Sequence, residues 1–218
     1  HEEGPTAFSN EATEFCYTFN LADTSLFSQK LAFNFAEEES SVIGSESFMN
    51  PATSDETTVG YYISGYYGLF KLVAGIRIDN IDRKGSITTH EEHHDEEEHH
   101  DEEEHHDEEE EHHDEEETET VNHNKDFDNR SFAIALSRDL NESLSLEIGT
   151  SVVERAPSVT ELFMNGPHLV TQRFEVGNIN LGVETARNVE FTLKYANEGV
   201  YASFTAFQND IDDYIYLQ

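Results

Sequence analysis

Apolar side chains in this sequence recur at every second position. Phe70, Leu72, Ala74, Ile76 and Ile78 fall on one face of the chain, and Lys71, Gly75, Arg77 and Asp79 fall on the other. A period of two belongs to the β-strand, because successive Cβ atoms leave a pleated backbone on opposite sides. The pattern returns in Phe132, Ile134 and Leu136 against Ser131, Ala133, Ala135 and Ser137, and in Leu144, Leu146 and Ile148 against Ser143, Ser145 and Glu147. It returns again in Val189, Phe191, Leu193 and Tyr195 against Asn188, Glu190, Thr192 and Lys194, and earlier in Leu31, Phe33 and Phe35. These segments predict antiparallel hairpins. Arg138–Ser143 and Ala196–Gly199 read as tight turns, whereas the links from about 83 to 126 and from 154 to 185 are long. A soluble sandwich would turn the apolar face inward and a transmembrane barrel would turn it outward, so alternation alone leaves both open. Short turns at one end and long loops at the other favour the barrel.

No run approaches the roughly 18 consecutive apolar residues of a membrane helix, so a helical membrane protein is excluded and a barrel is not. Tyr61, Tyr62, Tyr66, Tyr67 and Phe70 cluster near one strand, and Tyr195, Tyr201, Phe204, Phe207, Tyr214 and Tyr216 near the last hairpins, as interfacial girdles would. The single Cys16 has no partner for an internal disulfide and reads as a plain strand residue. The start at His1 shows neither Met nor a signal peptide.

One segment has no apolar residue at all. Between Glu91 and Glu117 every position is His, Asp or Glu, with the repeat His-His-Asp-Glu-Glu-Glu starting at His93, His99, His105 and His112. It holds 8 of the 12 histidines and 19 of the 47 acidic residues. A six-residue step scatters the His pairs around a helix axis, and such a block of like charge repels itself, so a disordered loop is expected. Imidazole suits zinc, copper, nickel and iron, and the carboxylates add a field that concentrates cations. The candidate metal ligands are His93, His94, Asp95, His99, His100, Asp101, His105, His106, Asp107, His112, His113 and Asp114, with His90 and His123 extending the tract over 90–123. Several weak, interchangeable sites are expected, with zinc the favoured ion. The bland alternative is a slippage product that only solvates a loop. Outside the tract 28 acidic residues still face 12 basic ones, which argues against a nucleic-acid partner.

A second group of motifs lies further along. Glu154-Arg-Ala-Pro-Ser158 is followed by Glu161-Leu-Phe163, Gly166-Pro-His168, Phe174-Glu175, Gly177-Asn178, Leu181 and Glu184. In that order they resemble the barrel region of TonB-dependent outer-membrane receptors. Gly75-Ile-Arg-Ile-Asp79 and Phe207-Gln-Asn-Asp-Ile-Asp-Asp-Tyr-Ile215 look like two further strands of that family. The resemblance covers most of 57–218, and Gly-Pro-His after Glu-Leu-Phe, beside a His/Asp/Glu-rich loop, looks most like the zinc-uptake receptors.

The resemblance implies an all-β fold, part of a 22-stranded antiparallel transmembrane barrel in the outer membrane of a Gram-negative bacterium, with the tract on the extracellular side. It implies outer-membrane lipid as a neighbour and an energising inner-membrane complex of TonB type acting through a plug. Some eight or nine strands are legible, without plug or terminal aromatic strand, so residues 1–218 are expected to be a partial barrel. Glu154, Arg155, Pro157 and Glu161 are family-typical lumen or loop positions that also read as structural: Pro157 sets a rigid loop entry and Arg155 pins the loop to a carboxylate. His168 is a candidate ligand of a defined zinc site, with Glu161 or Glu175 as accessory.

The function expected is capture of zinc, as transported ligand and not catalytic cofactor, for energised import. A receptor for haem, a metal chelate, copper or nickel is the rival, and a surface β-protein that buffers metal without transporting it is the alternative of another class. No Ser/His/Asp order, His-Glu-x-x-His or phosphate loop points to an enzyme.

Overall fold

Each alternating segment forms a strand in the computed structural model, which describes residues 6–24, 26–44, 47–91, 117–168 and 173–217. The elements run β1 (Ala7–Asp23), β2 (Phe27–Ile43), β3 (Ala52–Tyr67), β4 (Phe70–Glu91), β5 (Glu117–Asp139), β6 (Leu144–Arg155), α1 (Val159–Phe163), β7 (Asn165–His168), β8 (Arg173–Val176), β9 (Glu184–Asn197) and β10 (Val200–Asp212). Among the described residues, eight strands form one antiparallel sheet in the order β1-β2-β3-β4-β5-β6-β9-β10. The hairpin β7–β8 stands apart as a second, two-stranded sheet.

Register carries the apolar alternation from strand to strand. Phe19, Leu31, Tyr61, Ile76, Phe132 and Val152 are successive partners across six strands, and Leu72, Leu136, Ile148 and Phe191 across four. A slip of one residue anywhere would break these rows, because it moves a whole strand's apolar set to the other face. Among the described residues no second sheet covers them: Ile76 is 55% exposed, Phe132 49% and Phe191 39%. The sandwich alternative therefore fails, and the apolar face is the outside. Lys71, Arg77, Glu147 and Lys194 take the opposite, inner face, where Lys194 Nζ meets Glu147 Oε2 at 3.2 Å.

The outer series of β4 is apolar from Phe70 to Ile78 and then turns polar at Asn80, Asp82 and Lys84. That apolar run approaches the 9–11 residues with which a tilted strand crosses about 30 Å of hydrocarbon. β4 and β5, of 22 and 23 residues, are about twice that length and project past the band as a paired stalk.

The connections sort by end. Residues 24–26, 68–69, 140–143 and 198–199 close short turns on one rim. Gly68 (φ 63), Glu198 (φ 39) and Gly199 (φ 87) supply the left-handed backbone that two-residue hairpins require. Residues 44–51 and 156–183 make longer connections on the opposite rim, where β4 also ends at Glu91 and β5 begins at Glu117. One expectation changes here. Pairing continues to Glu91 and resumes at Glu117, so the link expected from about 83 to 126 is much shorter. The outer series of the stalk is polar and its inner series mixes Ile81, Ile87, Val121 and Phe127 with charge, so no clean alternation reports it. The link from 154 to 185 is long, as expected, and holds α1, β7 and β8.

Charge placed on the two faces should act oppositely. Ile134→Arg, in the middle of the outer band, is expected to cost about 2–4 kcal/mol and to lower the folded fraction of the full-length protein in membranes. Ser137→Arg on the inner face should leave it near wild type. The gel-mobility difference between folded and heat-unfolded protein reads both.

Candidate functional site

The long-connection rim is where the candidate residues gather, and the segment 156–183 forms its best-defined part. Ser158-Val-Thr-Glu161 is a capping box: Ser158 Oγ accepts from the Glu161 N–H at 3.2 Å, and Glu161 Oε2 accepts from the Ser158 N–H at 2.7 Å. These bonds satisfy amide groups that the first turn of a helix leaves unpaired. Leu162 and Phe163 then turn into the sheet at 0% and 1% exposure.

They pack on the inner face. Phe163 sits where Gly85 has no side chain, since a Cβ there would lie 2.5 Å from the ring. Gly85 pairs with His123, whose ring lies stacked on Phe163 at 6.5 Å with 11° between planes. Phe48, Met49, Ala52, Ile81, Phe127 and Ala156 complete this core. Beside it Arg83 donates from Nη2 to Glu56 Oε1 at 2.5 Å, from Nε to Pro157 O at 3.4 Å, and from Nη1 to Ser54 Oγ. Asp79, equally buried, accepts from Thr58 Oγ1 at 2.8 Å and Arg77 Nε at 3.0 Å.

A clasp closes the base of the segment. Arg155 and Glu184 are register partners, the last residue of β6 and the first of β9. The Arg155 guanidinium donates to Glu161 Oε2 at 2.9 Å and to Glu184 Oε2 at 3.3 Å, and the Ile215 N–H adds a bond to Glu184 Oε2 at 3.0 Å. Burial pushes the Glu161 carboxyl up, but bonds from Arg155 and Ser158 outweigh it and hold it below its ordinary value. The Ile215 N–H first and Arg155 second lower Glu184, while the Glu161 bond raises Arg155.

Side chains also finish the ladders where strands part. β4 outruns β3 beyond Lys84, and there Asn50 Nδ2 bonds Ser86 O at 3.2 Å and Asn165 Nδ2 bonds Thr88 O at 2.7 Å. The β5–β6 ladder ends at Phe132 and Val152, and Glu154 Oε2 accepts from the Arg130 N–H at 2.6 Å just beyond. Both arrangements remove unpaired edge groups.

The twelve tract positions from His93 to Asp114 lie outside the described residues. The strand ends that flank them are described: Glu91 faces Glu117 and His90 faces Thr118 at the stalk tip. The side chain of His90 also lies outside the described residues. His123 does not extend a loop; it stands within the β4–β5 ladder and packs on Phe163. His168 ends β7 opposite Arg173, and its side chain lies outside the described residues. Glu175 faces Gly166 and is buried. Glu161, expected as an accessory ligand, instead has both oxygens engaged by Arg155 and Ser158, so it is an anchor of the loop. Among the described residues no group of three or more His, Cys, Asp or Glu side chains is placed to hold a metal ion. Sequence reading missed Arg83, Ser54, Glu56, Asn50 and Asn165. The capping box was legible in Ser158-x-x-Glu161, and the inner-face parity of Asp79 and Arg83 was a second signal.

Residues 8–218 match the family model described as TonB dependent receptor-like, beta-barrel. The probable hemoglobin and hemoglobin-haptoglobin-binding protein 1 of Haemophilus influenzae is 30% identical over 93 residues, which are 42% of this chain and 8% of that protein. The Serratia marcescens hemophore receptor HasR, solved with its hemophore HasA and heme, superposes with a TM-score of 0.62 at 15% identity, over 96% of this chain and 33% of that one. The copper transporter OprC superposes with a TM-score of 0.67 at 13% identity, over 94% of this chain and 30% of that one. The chain thus spans a third or less of the length of these relatives. At such identities the two structures speak for the fold alone.

The clasp sets a pH dependence. Glu161 and Glu184 have folded values below the ordinary 4.5, so the stability they lend is present above that value and lost as pH falls through their lowered values. Limited proteolysis of the full-length protein should leave 156–183 uncut at neutral pH and cut it increasingly as pH falls below the ordinary carboxylate value. Glu161→Gln should make the segment more susceptible at neutral pH and flatten the acid dependence.

Proposed function

This chain belongs to the TonB-dependent receptor-like β-barrel family, and from that premise we propose that it forms part of a receptor that captures zinc for energised import. Its place is the outer membrane of a Gram-negative bacterium, where its relatives are transport receptors rather than enzymes. The observation that carries the zinc reading is the tract itself: eight histidines among nineteen carboxylates, tethered by Glu91 and Glu117 to the tip of the longest strand pair. The carboxylates raise the local concentration of cations, and the imidazoles supply the nitrogen ligand that borderline cations prefer over calcium or magnesium. Many weak sites exchange fast, so the tract collects and a separate, defined site commits the ion. His168 is the described chain's candidate for that second site, on a hairpin held against the inner wall. Import then depends on a plug and an energising inner-membrane complex of TonB type.

A second reading has its own support. The relative from Haemophilus influenzae is named for binding hemoglobin, and HasR was solved with heme. Haem takes imidazole as an axial ligand, so His-rich loops serve haem capture as well as zinc capture. Copper, as in OprC, draws on the same ligands and binds them more tightly than zinc.

Uptake curves separate these readings. In cells carrying the full-length receptor, deleting 91–117 should slow zinc uptake at limiting zinc and leave the saturated rate near wild type, because the final site and the energised step remain. His168→Ala should weaken uptake at low zinc even with the tract intact, as the loss of one ligand bond would. A His168→Ala curve identical to wild type removes that residue from the site. Haem or copper uptake that depends on the tract while zinc uptake does not would replace zinc as the cargo. Zinc binding by the receptor should also fall as pH drops below about 6.5, where protonated imidazole no longer ligates.

A further inference from the structure

We propose that the described parts of 156–183 are a permanent lining of the barrel mouth and not a lid, so that incoming solute meets this segment and never the wall beneath it. The inference rests on the barrel reading of the sheet, which makes the face of Arg77, Ile81, Arg83 and Gly85 the lumen. α1 and its neighbours lie on that face, because every wall residue they cover has inner parity: Ser54, Ile81, Arg83, Gly85, His123 and Phe127.

A lid opens at low cost, and elements that open have few buried contacts and many water-exposed backbone bonds. This segment has the reverse. It buries Leu162 and Phe163 completely, and it is seated by two close approaches that tolerate no Cβ, Gly85 under Phe163 and Gly166 against Phe48, while Gly177 against the Leu162 backbone packs the segment on itself. It is fastened at its base by Arg155, Glu161 and Glu184, and at its far side by Asn165, whose N–H donates to Phe48 O at 2.8 Å and whose Nδ2 donates to Thr88 O. Lifting it would also strip Arg83 of Pro157 O and open the buried Arg83 and its partner Ser54 to water. In its place the segment presents Arg173, Phe174 and Val176, the last two each 65% exposed. These side chains, and not Arg83 or Ser54, then set what the mouth admits.

The test is cysteine accessibility in full-length receptor in intact cells, using a membrane-impermeant maleimide, with zinc present or absent and with the proton-motive force intact or collapsed. The two reporters under the segment are Ser54→Cys, bonded to the Arg83 that meets Pro157, and Phe127→Cys, in the core with Leu162 and Phe163; Asn124→Cys, exposed on the stalk, is the reactive standard. Both reporters are expected to react at least about tenfold more slowly than the standard in all four conditions. Adding Phe163→Ala to Ser54→Cys should restore reactivity, which shows that the seat and not local chemistry protects it. Labelling that appears only with zinc or energisation would make the segment a lid, and labelling in every condition would mean it does not dock; either overturns the proposal. Phe132→Cys, on the outer face, checks the barrel separately: its labelling in intact cells would sink the membrane reading instead.

Discussion

Hydrocarbon offers no water to a peptide group, so any backbone that crosses it must satisfy every N–H and C=O within itself. The hydrogen-bonded ladder across eight strands is the answer this chain gives, and the rest of its structure depends on it. The ladder fixes which residues share a row, and so turns a modest alternation in each strand into a continuous apolar surface. It also explains the side chains found where strands end. Asn50, Asn165 and Glu154 complete ladders that the neighbouring strand has abandoned, at the levels where β4 and β5 rise out of the band.

Inside the arc a different balance holds. The inner face of the long strands is polar, and at the rim it becomes a small core only because 156–183 folds back upon it. The core is built by complementary absences: Gly85 makes room for Phe163, and Gly177 for the backbone of Leu162. The Arg155 clasp then joins the point where the segment leaves the sheet to the point where it returns. A loop closed at its base by a shared guanidinium has fewer alternatives than its length suggests.

The outer face beyond the band shows a contrasting arrangement. Glu37, Asp55, Asp82 and Asp126 form one row across β2 to β5, where like charges directly opposite are unfavourable. Asp126 takes the consequence: its hydrogen bond to Asp82, and that residue's charge, raise its carboxyl above the ordinary value. Water at this level tolerates the row, and charge recurs in the next two rows at Asp128 and Arg130 before the rows of Ile76, Ala74 and Leu72 become wholly apolar across β4 and β5. The polarity change at Asn80 therefore marks the membrane boundary more sharply than any aromatic does.

Strand identity, outward face and hairpin turns were all legible in the residues, because period-two alternation and turn chemistry are local properties that the tertiary ladder only had to align. Sequence also determined the composition of the tract, eight imidazoles among carboxylates, and the metal capture proposed for it rests on that composition and not on any one geometry. What only the tertiary structure decided is which polar residues meet. The stalk of β4 and β5 was invisible because its outer face is polar and its inner face mixes apolar with charged residues, and Arg83 could not be matched to Ser54 and Glu56 without knowing the register between β3 and β4. Glu161 looked free to bind a metal until Arg155 was brought beside it, and His123 looked like an extension of the tract until Gly85 and Phe163 enclosed it. Those outcomes depend on contacts between residues far apart in the chain, and pattern within a segment carries no record of its distant partner.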